Sequence, residues 1–376
     1  MPQLPLSWLL FLSVAIFLPA TPASSLRPYI RSPLFQPNRA TLNMSGGGKD
    51  TQHTVMAGDD SFDEVRSAAA AVAEPSSARP ALKSRASMSL FRFGAETPTN
   101  ESKGYWNRQR RQFLQELAAE CLGTFIIVQL GTGVVMADIF AGATTGLFQI
   151  AAVWIIAVTV AICCTASISG AHLNPAISIS FALLRRSKQF GWSKVLPYTM
   201  AQTAGAILGS WVNLLMYAPL ITQFEATNGI VRSSANAVVS ARAFGEYYVA
   251  PVTTVTAFFA EAFGTAVLAG VIFALTHPAN DTTKLNVYIP PFIGMTVGAL
   301  ITVIAPLTQA GFNPARDFGP RIVAYAAGWT GVAFQNCWVY IVAPLVGAPI
   351  GAAIVDKLLY ANQGSEKVET AATTHD

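Results

Sequence analysis

Two stretches decide the fold: Ser169-Gly170-Ala171-His172-Leu173-Asn174-Pro175-Ala176, and Gly311-Phe312-Asn313-Pro314-Ala315-Arg316-Asp317-Phe318-Gly319-Pro320-Arg321. Each sets Asn-Pro-Ala at the head of a short amphiphilic segment, residues 174–184 and 313–324. Proline suits the first helical position because the N–H it lacks would have had no partner there, and asparagine is a favoured cap one residue earlier. Both triplets therefore predict helix starts. Neither segment reaches the roughly 20 residues a helix needs to cross a bilayer.

Outward from these segments lie six apolar runs that do reach that length, at 113–137, 147–168, 194–217, 252–276, 288–307 and 336–357. Charged residues make up 12% of the chain, against about 25% in soluble globular proteins. Non-helical backbone at membrane depth is tolerated only inside protein or beside a water-filled cavity. The two Asn-Pro segments thus predict half-helices that dip in without crossing. Lys103, Arg108, Arg110 and Arg111 precede the first run, and Arg185, Arg186, Lys188 and Lys194 follow the second. Residues 138–145 hold no Lys or Arg. This asymmetry puts both ends of the six-span core on the cytosol-like side. Net charge is a mild +4, and no basic, aromatic-interleaved patch suggests a nucleic-acid partner. The four cysteines form no C-x-x-C pair and read as apolar packing residues rather than metal ligands or disulfides.

The chain repeats itself. Ala119-Glu120-Cys121-Leu122-Gly123-Thr124 matches Ala260-Glu261-Ala262-Phe263-Gly264-Thr265, and Asn174-Pro175-Ala176 matches Asn313-Pro314-Ala315. The pattern Ala201-x-x-x-Gly205-Ala206-x-x-Gly209 returns as Ala343-x-x-x-Gly347-Ala348-x-x-Gly351. All three anchors keep their order at a spacing of about 140 residues, which marks an internal duplication. Each copy carries three spans, an odd number, so the second must insert upside down. The expected fold is an all-α membrane protein of six transmembrane helices plus two re-entrant half-helices, built as inverted three-helix repeats of the kind transporters use.

If the half-helices meet head to head, their positive dipole ends converge and the amides of Asn174 and Asn313 point at one solute oxygen. Such a centre donates hydrogen bonds and repels cations. The stretches Ser169–Leu173 and Thr308–Phe312 cannot be helical up to the asparagines, so their carbonyls must face something polar. His172 sits in the first stretch, as a structural residue or a gate. Glu120 and Glu261 occupy equivalent places, and buried carboxylates need partners. Their symmetry favours acceptors for loop N–H groups behind each half-helix over a proton relay. Arg316 breaks the symmetry, because Ile177 stands at its place in the first copy. An arginine at a pore mouth offers a fork of donors and repels cations. The pattern shows no nucleophile–base constellation and no metal spacing.

The two signatures strongly resemble those of the aquaporin, or major intrinsic protein, family over residues 110–360. The resemblance implies a homotetramer in which each protomer has its own pore, working as a passive channel without cofactor or catalysis. Asp317 with Arg321, Pro344-Leu345 in the last helix and Tyr247 before the fourth resemble the aquaglyceroporin branch, which includes the bacterial glycerol facilitator. That likeness implies glycerol and water as solutes, with urea or ammonia as further candidates, and counts against a water-only channel. It places Trp154, Ile301, Ala310 and Arg316 at the selectivity constriction, with His172, Gly311, Phe312, Asp317, Arg321 and Tyr247 at the pore. The usual second aromatic of the glycerol facilitator is absent, since Ala310 stands there. The ring looks closer to that of some plant nodulin-like intrinsic proteins. Pro175 and Pro314 are expected to be structural.

Ahead of this core, residues 6–20 are apolar and end in Ala20-Thr21-Pro22-Ala23, which resembles a signal peptide over residues 1–23. Arg27, Arg31, Arg39 and Lys49, with no acid before Asp50, resemble a transit peptide for a complex plastid. The alternatives are a leader without an address and a plasma or endomembrane location. The expected division is a low-complexity, disordered leader over 24–111, a channel domain over 112–358 and a disordered tail over 359–376. Asn43-Met44-Ser45 and Asn100-Glu101-Ser102 are glycosylation triplets if the leader is luminal.

Overall fold

The computed structural model describes residues 100–280 and 286–361. The signal, transit and tail readings for residues 1–23, 24–99 and 362–376 lie outside them.

Nine α-helices carry the described chain: α1 Asn100–Ala141, α2 Leu147–Ser169, α3 Pro175–Leu184, α4 Trp192–Thr227, the single turn α5 Val238–Ala241, α6 Thr254–Leu275, α7 Ile289–Thr308, α8 Pro314–Ala326 and α9 Cys337–Ile354. A π-helical turn, Val355–Leu359, extends α9. Six of the helices are long and apolar enough to cross a membrane. At about 1.5 Å per residue, the 42 residues of α1 span about 63 Å, roughly twice a hydrocarbon core. The helix begins at Asn100, ahead of the boundary expected at 112, so residues 100–111 continue the first span.

The duplication is visible in the packing. Within the first copy α1 lies along α4, and within the second α6 lies along α9, while α2 meets α7 where the copies join. Each half-helix leans on the last helix of the other copy, α3 on α9 and α8 on α4. The glycine anchors explain how α4 and α9 come so near their partners. A Cβ on Gly205 would stand 2.0 Å from the Cys121 carbonyl oxygen, and one on Gly351 would stand 1.8 Å from that of Ala266. Backbones in contact gain dispersion energy, the main source of helix association where lipid is as apolar as leucine. The outward faces carry Phe148, Leu208, Phe263 and Val303, as a surface solvated by lipid should. Cys163 and Cys164 are exposed on that face rather than packed inside.

Gly351→Leu should therefore prevent recovery of a heat-resistant protein, because a carbonyl oxygen cannot retreat by the ångström or more required. The atoms nearest a Cβ on Gly133 belong to the side chain of Asn213, at 3.4 Å, and Gly133→Leu should cost far less, about 1–3 kcal/mol as ordinary overpacking. Detergent-solubilised melting curves of the two variants compare them directly, and equal curves would refute the close-approach argument.

Candidate functional site

The loops that enter the two half-helices hold the site. In the first, Ala171 and Leu173 have positive φ of 50° each; in the second, Gln309, Ala310 and Phe312 have 66°, 68° and 56°. Side chains at such angles cost about 1–3 kcal/mol each, so the surroundings must over-determine them. Two buried carboxylates do so. Glu120 accepts from the Ser169 hydroxyl at 2.6 Å and from the N–H groups of His172 and Leu173 at 3.0 and 2.7 Å. Glu261 accepts from the Thr308 hydroxyl at 2.6 Å and from the N–H groups of Gly311 and Phe312 at 3.0 and 2.8 Å. The two arrangements correspond atom for atom. Tyr340 adds a hydroxyl bond to the Thr308 carbonyl at 3.0 Å, and Tyr198 lies 3.2 Å from that of Ser169. Gly123 and Gly264 leave room for Leu173 and Phe312. Thr124 and Thr265 bond back to the carbonyls of Glu120 and Glu261. The Ala-Glu-x-x-Gly-Thr anchor is thus the cradle of a loop.

With the N–H groups turned outward to these carboxylates, the asparagines close the centre. Asn174 Oδ1 caps α3 by accepting from Ala176 N at 2.9 Å, and Asn313 Oδ1 caps α8 through Ala315 N and Arg316 N at 3.1 and 3.3 Å. Pro175 and Pro314 take the first helical positions. Each amide nitrogen reaches across the repeat, Asn174 Nδ2 to Phe312 O at 2.9 Å and Asn313 Nδ2 to Leu173 O at 2.7 Å. An amide has two donors, so each asparagine keeps one hydrogen for a solute.

A cavity of about 450 Å³ runs past this centre, bordered by Asn174, Asn313, His172, Gly311, Phe312, Trp154, Ile301, Ala310 and Arg316. Most of its remaining wall is aliphatic, including Ile127, Val158, Ile162, Leu268, Ile293 and Val297. The guanidinium carbon of Arg316 lies 4.4 Å from the centre of the Trp154 ring, close enough for a cation–π contact. Gly131 makes space for that ring, since a Cβ there would stand 2.4 Å from it.

Three residues expected at the pore, Asp317, Arg321 and Tyr247, do not border the cavity. Adjacent residues on a helix point about 100° apart, so Asp317 faces away from the direction Arg316 takes. Arg321 pairs with Asp317 at 2.7 Å and donates to the carbonyls of Ala333 at 2.8 Å and Glu246. Asp317 accepts from Glu246 N at 2.7 Å, and Tyr247 donates to Ala333 O at 3.1 Å. This fully buried group fastens the segment that carries Glu246, whose carboxylate forms an ion pair with Arg316. Burial pushes the Glu246 carboxyl up to about 7 against the opposing pull of Arg316. Sequence reasoning missed Glu246, because a non-periodic loop gives no sign that it folds inward.

Known proteins share this architecture. A family model described as Major intrinsic protein matches residues 107–355. The chain is 40% identical over 250 residues to the propanediol uptake facilitator of Citrobacter freundii, covering 65% of this chain and 91% of that one. It is 38% identical over 247 residues to the glycerol uptake facilitator protein of Escherichia coli K12, covering 64% and 86%. The X-ray structure of the aquaglyceroporin from Plasmodium falciparum superposes with a TM-score of 0.58 at 26% identity, over 66% of this chain and 97% of that one.

Replacing Glu120 or Glu261 by Gln removes one acceptor oxygen and turns an amide NH2 toward N–H groups that need acceptors. Each donor left unpaired should cost about 1–3 kcal/mol. Melting temperature and yield should fall before solute selectivity changes. Normal heat resistance together with newly proton-dependent flux would point to a relay instead.

Proposed function

The chain belongs to the major intrinsic protein family, and from that premise we propose that it is a passive channel for glycerol and water, without catalysis. What supports the reading is that Arg316 lies over the face of Trp154 and that Ile301 and Ala310 border the same cavity; we assign these four, a set without histidine, to the constriction. A polyol has an apolar carbon edge and a row of hydroxyls, and such a site meets both with few, well-placed polar groups. The names of the relatives, which speak of glycerol and propanediol uptake, support the same solute class. Urea and ammonia are smaller neutral candidates for the same path.

A proton-coupled transporter would need a free titratable group in the path. Glu120 and Glu261 are instead occupied by loop donors. His172, which does border the path, is engaged by Ser178 at 3.2 Å and packed between Phe181 and Phe190. Both observations support facilitated diffusion. The working unit we propose is a homotetramer with one pore per protomer. Residues 112–358 form the channel domain, set in a plasma, endomembrane or complex-plastid membrane according to how the leader is read.

Two experiments test the reading. Proteoliposomes should swell in an isosmotic glycerol gradient, measured by stopped-flow light scattering. Water permeation with glycerol uptake at the lipid background would make the protein a water-selective aquaporin. Arg316→Val removes a poorly screened fixed charge and a fork of donors at one stroke. It should admit a cation or proton current in oocytes and blunt discrimination among polyols of similar size. The leak should be partial, because the asparagine centre and the half-helix dipoles remain. Unchanged cation exclusion with unchanged polyol preference would show that Arg316 does not form the constriction.

A further inference from the structure

Glu246 stands behind the cavity wall rather than in it. Its carboxylate forms an ion pair with Arg316, and both side chains are buried. Its Cγ lies 3.6 Å from where a Cβ on Gly311 would stand. Arg316 and Gly311 border the cavity, and Glu246 does not. Other contacts hold the backbone here. Glu246 N donates to Asp317 Oδ1 at 2.7 Å, and the Glu246 carbonyl accepts from Arg321. Tyr247 N donates to Gln309 Oε1 at 3.0 Å, which ties the segment to the loop that carries Ala310. Gly245 permits the approach, since a Cβ there would stand 2.7 Å from the Arg321 side chain. The carboxylate of Glu246 is therefore not what fastens the loop. Nor does it hold Arg316 alone, because the Trp154 ring lies 4.4 Å from the guanidinium carbon. Its remaining effect is on charge. A close ion pair presents little net charge to the cavity, and an arginine without its partner presents a full one.

The groups that face this carboxylate come from four elements. Arg316, Asp317 and Arg321 lie on α8, Glu261 on α6, Tyr340 on α9 and Tyr247 on its own segment. Burial disfavours the ionised form most, Arg316 opposes it, and Asp317 and Glu261 add to the rise, which leaves the carboxyl at about 7.

We propose that Glu246 is a specificity-determining positioning residue: ionised, it restrains the Arg316 guanidinium, and protonated, it releases that charge onto the solute path. The proton comes from water in the cavity and goes to a carboxylate oxygen. A released guanidinium holds the hydroxyls of a polyol more firmly and slows their passage. A water molecule offers it a single oxygen and is slowed less. Acidification therefore shifts passage from polyols toward water. The inference rests on the channel function and the constriction proposed above.

The test uses the full chain in proteoliposomes with the same pH inside and out, so that the orientation of the protein does not matter. Between about pH 8 and about pH 6, either side of the carboxyl's value of about 7, the glycerol-to-water permeability ratio should fall about fivefold, the size of one hydrogen bond. Glu246→Gln should show the low ratio at both pH values. Arg316→Val should lose the pH dependence, because Glu246 acts through that guanidinium. A constant ratio in the wild type overturns the proposal, as does a high or pH-dependent ratio in Glu246→Gln or a surviving pH dependence in Arg316→Val. If Glu246→Gln does not fold, Glu246→Asp withdraws the carboxyl by one methylene, and the pH midpoint of the ratio should move; an unmoved midpoint overturns the proposal. Infrared difference spectra between the two pH values should show a carboxylic-acid band that Glu246→Gln or Glu246→Asp removes or shifts. A wild type that conducts water but no glycerol at either pH would count against the solute assignment made above, while the infrared band still decides whether Glu246 takes up the proton.

Discussion

The structure depends on one constraint: two stretches of non-helical backbone lie at membrane depth, where no water can reach their outer side. Each stretch must discharge its N–H groups on one side and its carbonyls on the other. A single buried carboxylate per repeat, Glu120 or Glu261, collects the N–H groups and the hydroxyl of Ser169 or Thr308. An ionised acceptor does this better than a neutral one, because charge-assisted bonds are roughly twice as strong. The positive φ angles of Leu173 and Phe312 follow from it. So do the glycines that let these side chains sit against α1 and α6, and the close helix crossings that keep the cradle rigid.

Symmetry and its failures divide the residues by task. Where the copies agree, as in the carboxylates, the asparagine caps, the two tyrosines and the crossing glycines, the residues hold the loops and the bundle. The asparagines alone among these also keep a donor for the solute. Where the copies disagree, the residues give the path its direction or fix those that do. Arg316 stands opposite Ile177 in the alignment of the copies, and Asp317 opposite Ser178. Asp317 pairs with Arg321 and fastens the loop that carries Glu246, the partner of Arg316. A duplicated scaffold thus acquires direction without changing its backbone.

Most of this was legible in the sequence, because its causes are local or periodic. Span length, Asn-Pro helix starts and the repeat each leave a mark on the chain, and together they gave the six spans and both half-helices to within a few residues, α1 and α4 excepted, which run about ten or more residues further at one end. The errors have physical reasons too. Asp317 and Arg321 were expected at the pore because they match the signature of the glycerol-conducting branch, but the helix turns Asp317 away from Arg316 and Arg321 pairs with it behind the pore. Tyr247 and Glu246 lie in an irregular loop whose inward course is set by Arg321, a contact across 75 residues. Gly131 showed no motif, since its task is only to leave a space that Trp154 fills.

What the site withholds from a solute matters as much as what it offers. Conduction requires contacts strong enough to replace hydration and weak enough to release the solute. The asparagines are each half-occupied by a carbonyl of the opposite loop, which leaves one hydrogen apiece. Arg316 is engaged by Glu246 and by the ring of Trp154, so its fork is only partly available. A free guanidinium in an apolar tube would bind a hydroxyl too tightly, and one fully bound would offer nothing in exchange for water. The aliphatic wall adds contact area without direction, which lets a carbon edge slide from one donor to the next. Moderated donors along an apolar track are therefore the physical form that selectivity takes when turnover must also be fast.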